Sequence, residues 1–272
     1  MTDIRTILRE ASAALGDRLE AELLLAHALG VDRAWFFAHA EDRIDEARAA
    51  NFQALLTRRA KGEPVAYILG RRDFWSLPLE VTPATLIPRP ETELLVEQAL
   101  VRLPEGGRVL DLGTGSGAIA LAIASERPDA DVTAVDASVA ALVVARRNAQ
   151  RLGLGRVLMT ESDWYAALGD QRFDVIVSNP PYVEAGDPHL DQGDLRFEPS
   201  SALASGPDGL DDIRRIAHGA REHLTDGGWL LVEHGWNQAA SVRDIFSGEG
   251  LTDAFTVQDL EARDRVTGAR AG

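Results

Sequence analysis

Apolar residues recur at Ile4, Ile7, Leu8, Ala11 and Leu15, the spacing of one helix face, and Gly16 ends the run. Asp17 followed by Glu20 has the form of a capping box and opens a second helix, which Gly30 closes. His27, set among apolar neighbours in that helix, reads as a core histidine. A short apolar piece over 34–38 leads to an amphipathic stretch over 45–60, broken by Gly62-Glu63-Pro64. Residues 64–90 carry several prolines and little helical signal, and Phe74, Leu77, Leu79 and Val81 predict short extended strands. After Glu91 the pattern changes. It predicts helices over 92–103, 118–126, 139–152 (capped by Ser138), 211–224 and 238–247. Between them it predicts strands over 108–112, 132–136, 157–161, 173–178 and 229–233, with a last strand over 255–260. Strands alternating with helices make a mostly parallel sheet covered by helices on both faces. The expected organisation is a helical N-terminal domain over 1–72, a linker or hairpin over 73–90, and an α/β domain over 91–272. Ligands of such sheets sit beyond the carboxyl ends of the strands. A site should therefore collect at 111–117, Asp136, Asp163 and Trp164, 179–182 and Glu233.

Composition narrows the class. Of 272 residues, 45% are hydrophobic and 26% charged, which excludes a mainly disordered chain. The longest purely apolar runs, 118–124 and 139–145, are far shorter than the roughly 18 residues of a membrane span. The first residues show no apolar core flanked by basic residues, so no signal peptide is expected. With no cysteine there is no disulfide or thiolate chemistry, and a reducing cytoplasmic setting fits. Residues 1–72 hold eleven basic and eleven acidic side chains, whereas 73–272 hold seventeen and thirty-two, so the whole net charge of −15 lies in the larger part. Such a surface repels phosphate backbones, which makes duplex nucleic acid a poor partner. The six histidines form no ligating pair, so no metal site is expected. The basic group Arg58, Arg59, Lys61, Arg71 and Arg72 reads as a solvated face.

Four segments carry candidate chemistry. Asp111-Leu-Gly-Thr-Gly-Ser-Gly117 follows a strand and opens a helix. Gly113, Gly115 and Gly117 allow a tight turn and close approach of a ligand to the backbone. The spacing is neither the dinucleotide fingerprint nor a phosphate loop. Asp136 ends the next strand, 23 residues after Gly113, where a carboxylate can accept both hydroxyls of a ribose, or simply cap the following helix. Asp163 and Trp164 follow the third strand. They suit an adenine amino group and ring, or a loop tryptophan covering the core.

The sharpest signal is Asn179-Pro180-Pro181-Tyr182, directly after an apolar strand. The prolines stiffen the turn and push Asn179 extended. The Asn179 side-chain oxygen and the Pro180 carbonyl can then accept both hydrogens of a planar NH₂ group, with Tyr182 against its flat face. Resonance makes such a nitrogen a weak nucleophile. Orienting it can contribute on the order of 7–11 kcal/mol.

Together the glycine loop, Asp136 and the Asn-Pro-Pro-Tyr turn resemble S-adenosylmethionine-dependent methyltransferases that act on amino groups. Gly62-Glu-Pro-Val-Ala-Tyr-Ile-Leu-Gly70, Leu86-Ile-Pro-Arg-Pro-Glu-Thr-Glu93, Val177-Ser-Asn-Pro-Pro-Tyr182, Glu198-Pro199 with Gly209-Leu210, and Glu233-His-Gly235 are similar to the peptide-chain release factor glutamine N5-methyltransferase family. The resemblance covers nearly the whole chain. It implies a Rossmann-like methyltransferase sheet behind a helical substrate-docking domain, S-adenosyl-L-methionine as cofactor, and the glutamine of the release factors' Gly-Gly-Gln motif as substrate. It further implies that Gly113, Thr114, Gly115, Ser116 and Gly117 hold the methionine part of the cofactor, that Asp136 holds ribose, and that Trp164 flanks adenine, beside Asp163. Asn179, beside the cofactor, would clamp the substrate amide with Pro180, Pro181 and Tyr182, and Arg89 would lie near the cleft. An adenine-N6 DNA or RNA methyltransferase is the alternative, because adenine also offers a planar NH₂. An NAD-dependent oxidoreductase and a non-catalytic binding module fit the loop and the turn less well.

Overall fold

A computed structural model describes residues 3–272, so Met1 and Thr2 of the N-terminal reading lie outside the described residues. The chain divides into two compact units, one through Arg71 and one from Arg72.

The first unit is helical: α1 (Ile4–Leu15), α2 (Arg18–Leu29), α3 (Trp35–Ala38), α4 (Glu46–Ala60) and α5 (Val65–Leu69). Asp3, Asp17 and Asp45 cap α1, α2 and α4 by accepting from backbone N–H groups three residues on. Only half of the expected capping box at Asp17 forms. Glu20 turns instead to Arg59, 2.7 Å away. Leu24, Leu25, Phe52 and Leu55 are among the residues that fill the core of this unit. His27 is exposed, contrary to its reading as a core histidine: the buried stripe of α2 runs through Ala21, Leu24, Leu25 and Leu29, and position 27 falls off it. Helix α5 was also unexpected. Five residues after a proline are too few to show a helical period, and burial of Tyr67 and Ile68 holds the turn. Arg58 pairs with Glu63 as Arg59 does with Glu20, so this part of the basic cluster is neutralised locally.

The second unit opens with a hairpin of β1 (Arg71–Phe74) and β2 (Leu77–Glu80). It then alternates: α6 (Glu93–Arg102), β3 (Arg108–Leu112), α7 (Ala118–Glu126), β4 (Asp131–Asp136), α8 (Val139–Arg151), β5 (Leu158–Glu161), β6 (Phe173–Ser178), α9 (Asp211–His223), β7 (Leu224–Glu233), α10 (Ala239–Gly248), β8 (Leu251–Gln258) and β9 (Asp264–Ala271). The seven-stranded sheet has the order β5-β4-β3-β6-β7-β9-β8. Strands β3 to β7 run parallel, and β9 is antiparallel to both β7 and β8. Apolar clusters cover both faces of this sheet. The apolar run 118–124 is α7, buried throughout. Among the described residues no helix is long and apolar enough to cross a membrane.

The expected α/β fold is thus present, with a correction at its end. The single strand expected over 255–260 is a pair, β8 and β9. β9 escapes a hydrophobic reading because Thr267, Gly268 and Ala269 are small or polar yet buried. Gly268 is required there, since a Cβ would lie 2.5 Å from both Leu231 and Phe255.

Strand order also places the site. From β3 the chain winds outward through β4 to β5, then returns to β6 on the other side of β3. Helices leave β3 and β6 in opposite senses, so a crevice opens beyond their carboxyl ends. Leu112 and Ser178 stand side by side there, joined by a 2.8 Å hydrogen bond from Ser178 Oγ to the Leu112 carbonyl. The glycine loop and Asn179 therefore emerge next to each other.

Candidate active site

A cavity of about 290 Å³ occupies this crevice. Its walls include Gly113, Thr114, Gly115, Ser116, Asp136, Asp163, Trp164, Asn179, Pro180 and Pro181, with Arg89 and Thr92 from the segment before α6. Gly117 and Tyr182 stand outside the lining. Gly117 begins α7 at φ +87°, and a Cβ there would meet Leu121 at 3.0 Å, so it serves helix packing.

The glycine loop is held from three sides. The Gly113 and Thr114 N–H groups donate to the Val135 carbonyl at 2.9 Å each. The Gly115 N–H donates to Asp136 Oδ2 at 2.8 Å. Thr114 Oγ1 donates to Asp111 Oδ2 at 2.6 Å, with the Ala120 N–H 3.2 Å from the same oxygen. Asp111 is fully buried and its Oδ1 has no partner among the described residues. Burial pushes its carboxyl up to about 7, against the Thr114 and Ala120 hydrogen bonds that lower it. At Asp136 burial likewise raises the pKa, while the Ser138 and Gly115 N–H groups lower it. Ser138, not Asp136, caps α8 through its own side chain.

Trp164 has φ +50°, and its ring lies 3.5 Å from where a Cβ on Gly113 would sit. Asp163 is bound at 2.6 Å by Arg215, which also borders the cavity. Arg89 pairs with Glu198, a buried carboxylate that also accepts the Ile87 N–H at 2.9 Å. The wall segment carrying Arg89 is thereby pinned.

At the Asn-Pro-Pro-Tyr turn, Asn179 Nδ2 donates to Thr92 Oγ1 at 3.1 Å. Among the described residues neither Asn179 Oδ1 nor the Pro180 carbonyl accepts a hydrogen bond. Tyr182 Oη donates to Glu233 Oε1 at 3.2 Å, and its carbonyl accepts from Gln238 at 3.0 Å. Burial, then the charge of Glu233, raises the Tyr182 pKa, so the phenol keeps its proton. Burial also pushes the Glu233 carboxyl up to about 7.

Asp111, Thr92, Glu198 and Arg215 also belong to this constellation. Asp111 had a signal, its place at a strand end before the glycines. Thr92 and Glu198 lie in segments that resemble the family, but their residue types carry no chemistry that points to the cavity. Among the described residues no three His, Asp or Glu side chains gather as a metal site.

The chain is similar to known methyltransferases along most of its length. Residues 90–195 match the profile of the methyltransferase small domain, and residues 4–70 match that of the PrmC N-terminal domain. A methyltransferase of Pyrococcus furiosus, 20% identical, superposes with a TM-score of 0.56 over 82% of this chain and 99% of its own, a likeness of fold. A release factor glutamine methyltransferase of Xylella fastidiosa is 59% identical over 93% of each chain. Its counterpart in Escherichia coli K12 is 50% identical over 97% of this chain and 96% of its own. With identity of this order along almost its whole length, the chain belongs to the release factor glutamine methyltransferase family.

Proposed function

We propose that this chain transfers a methyl group from S-adenosylmethionine to the side-chain amide nitrogen, N5, of the glutamine in the Gly-Gly-Gln motif of peptide-chain release factors. The observation that carries the reading is the state of Asn179. Its NH₂ is committed to Thr92, so among the described residues its oxygen remains free, as does the carbonyl of Pro180. Two acceptors on one rigid turn match the two hydrogens of a primary amide.

The cavity fits the cofactor on several counts. A Cβ on Gly115 would meet nothing within 4 Å, so that glycine borders open space. The buried Asp111 keeps one unpartnered oxygen under the loop. Asp136 ends the strand beside it. Gly113, Thr114, Gly115 and Ser116 would hold the methionine part, Asp136 the ribose, and Trp164 with Asp163 the adenine. Bound there, S-adenosylmethionine supplies a methyl on a cationic sulfur for transfer to the amide nitrogen.

The residues of the chain do the remaining work by orientation. Asn179 Oδ1 and the Pro180 carbonyl hold the amide hydrogens and fix the nitrogen's direction. Pro181 keeps the turn stiff, Tyr182 braces its far end, and Arg89, pinned by Glu198, forms part of the cavity wall. The helical unit is assigned to docking the release factor, whose work on ribosomes places the reaction in the cytoplasm. The net charge of −15 disfavours duplex nucleic acid as the substrate. The test is mass spectrometry of a purified release factor after incubation with enzyme and labelled S-adenosylmethionine, with DNA in parallel. One added methyl on the motif glutamine is expected. Label on DNA alone would overturn the assignment in favour of an adenine-N6 enzyme.

A further inference from the structure

The reaction as described leaves one buried acid without a task. Glu233 ends β7 and is 1% exposed. Tyr182 Oη donates to its Oε1 at 3.2 Å, and the Thr92 hydroxyl is near enough to lower its pKa. Its Oε2 is buried and has no hydrogen-bond partner among the described residues. Thr92 in turn accepts from Asn179 Nδ2. Glu233 therefore binds one end of the Asn-Pro-Pro-Tyr turn directly and stands beside the hydroxyl that holds the other. The charged groups around it are Arg265 on β9, itself 3.2 Å from Asp259, and Glu91 just before α6.

A threonine hydroxyl has one hydrogen to give. We propose that Glu233, as the carboxylate, is a positioning residue: it takes the hydrogen of Thr92, obliges Thr92 Oγ1 to accept from Asn179 Nδ2, and so keeps Asn179 Oδ1 available to the substrate amide. The inference rests on the proposed glutamine chemistry. A protonated Glu233 no longer compels this direction. Thr92 can then donate to Asn179 Oδ1, the amide turns over, and an NH₂ faces the substrate NH₂, donor against donor. The same carboxylate takes the Tyr182 hydrogen and holds the far end of the turn. Burial raises the Glu233 pKa while Thr92, Arg265 and Tyr182 lower it, so the switch falls near neutral pH.

The experiment compares wild type with Glu233→Gln, Thr92→Val and Thr92→Ser, using full-length enzyme and intact release factor. Glu233→Gln and Thr92→Val are expected to lower kcat by about 30-fold or more, with the dissociation constant of S-adenosylmethionine changed less than about twofold, whereas Thr92→Ser stays within about threefold of wild type. The wild-type kcat should rise with pH through neutrality, and this limb should vanish in Glu233→Gln. A purely structural role would leave the limb in place. A second readout needs neither cofactor nor substrate. The chain has four asparagines, and the ¹⁵N-labelled side-chain amide of Asn179, assigned by its loss in Asn179→Ala, should shift between pH 6 and pH 8 in wild type but not in Glu233→Gln. Wild-type kcat in Thr92→Val, or an Asn179 amide equally pH-dependent without Glu233, overturns the proposal. If wild type methylates no release factor, the function assignment fails, while the amide shift still decides whether Glu233 governs Asn179.

Discussion

Asn148 Nδ2 lies 2.9 Å from the carbonyl of Ser116, beneath the glycine loop. The same side chain donates to the Glu80 carbonyl at 3.0 Å and accepts the Glu80 N–H at 2.7 Å. One fully buried amide on α8 thus acts as a strand neighbour for β2 and as the support of the loop.

Replacing Asn148 with Ala should be costly on both counts. Loss of these bonds leaves buried backbone groups unsatisfied, so unfolding in urea should show a loss of about 2–4 kcal/mol. Calorimetry should also show several-fold weaker cofactor binding. Unchanged binding would mean the loop needs no support from α8.

Asn179→Ala removes an acceptor at the cavity wall and no core volume. Methyl transfer should fall by at least about 100-fold, with thermal unfolding close to wild type. A folded variant with near-normal turnover would contradict the role assigned to Asn179.

Gly115 and Gly117 should both matter for stability but differ in their effect on binding. At φ +57° and open to the cavity, Gly115→Val should cost about 1–2 kcal/mol in backbone strain and place a branched side chain where the ligand belongs, weakening its affinity by about tenfold or more. Gly117→Ala meets Leu121 at 3.0 Å and Ala145 at 3.3 Å, so stability should drop by about 1–3 kcal/mol.

The pH dependence of stability follows from the sign of the Glu233 shift. Its carboxyl is raised from 4.5 to about 7 by burial, so its contribution is fully present below pH 4.5 and is lost as pH rises through 7. Glu233→Gln should therefore unfold later than wild type at pH 8, by on the order of 1–3 kcal/mol, and the difference should fade towards pH 4.5. Denaturant titrations at the two pH values check this. Greater stability with lower activity would mark a carboxylate kept for function.

Arg89→Ala strands the buried Glu198 carboxylate. Because Arg89 is itself about a third exposed, a loss of about 2 kcal/mol is expected, reduced when Glu198→Gln is added. Chemical denaturation of the single and double variants measures the coupling.

Much of this is legible in the sequence. Periodicity predicted the helices of the first unit and the alternation of the second, because amphipathic helices and buried parallel strands each leave a spacing that side-chain burial enforces. It failed at β9, where buried small residues show no apolar signal, and at α5, too short to show a period. His27 is exposed despite its apolar sequence neighbours, because neighbours in sequence do not share one helix face.

The sequence by itself determined the local chemistry: a glycine loop after a strand, an acid ending the next, and a rigid Asn-Pro-Pro-Tyr turn. These properties reside in covalent geometry and residue type, which need no partner. Only the tertiary structure decided which atoms are free to act. The crossover from β5 back to β6 sets the loop beside Asn179, and Thr92, 87 positions away in the chain, takes its NH₂. Glu233, arriving from β7, takes the Tyr182 hydroxyl and lies beside Thr92. A hydrogen bond of this kind depends on angstrom distances between groups far apart in sequence, and these exist only once the sheet has brought the strand ends together.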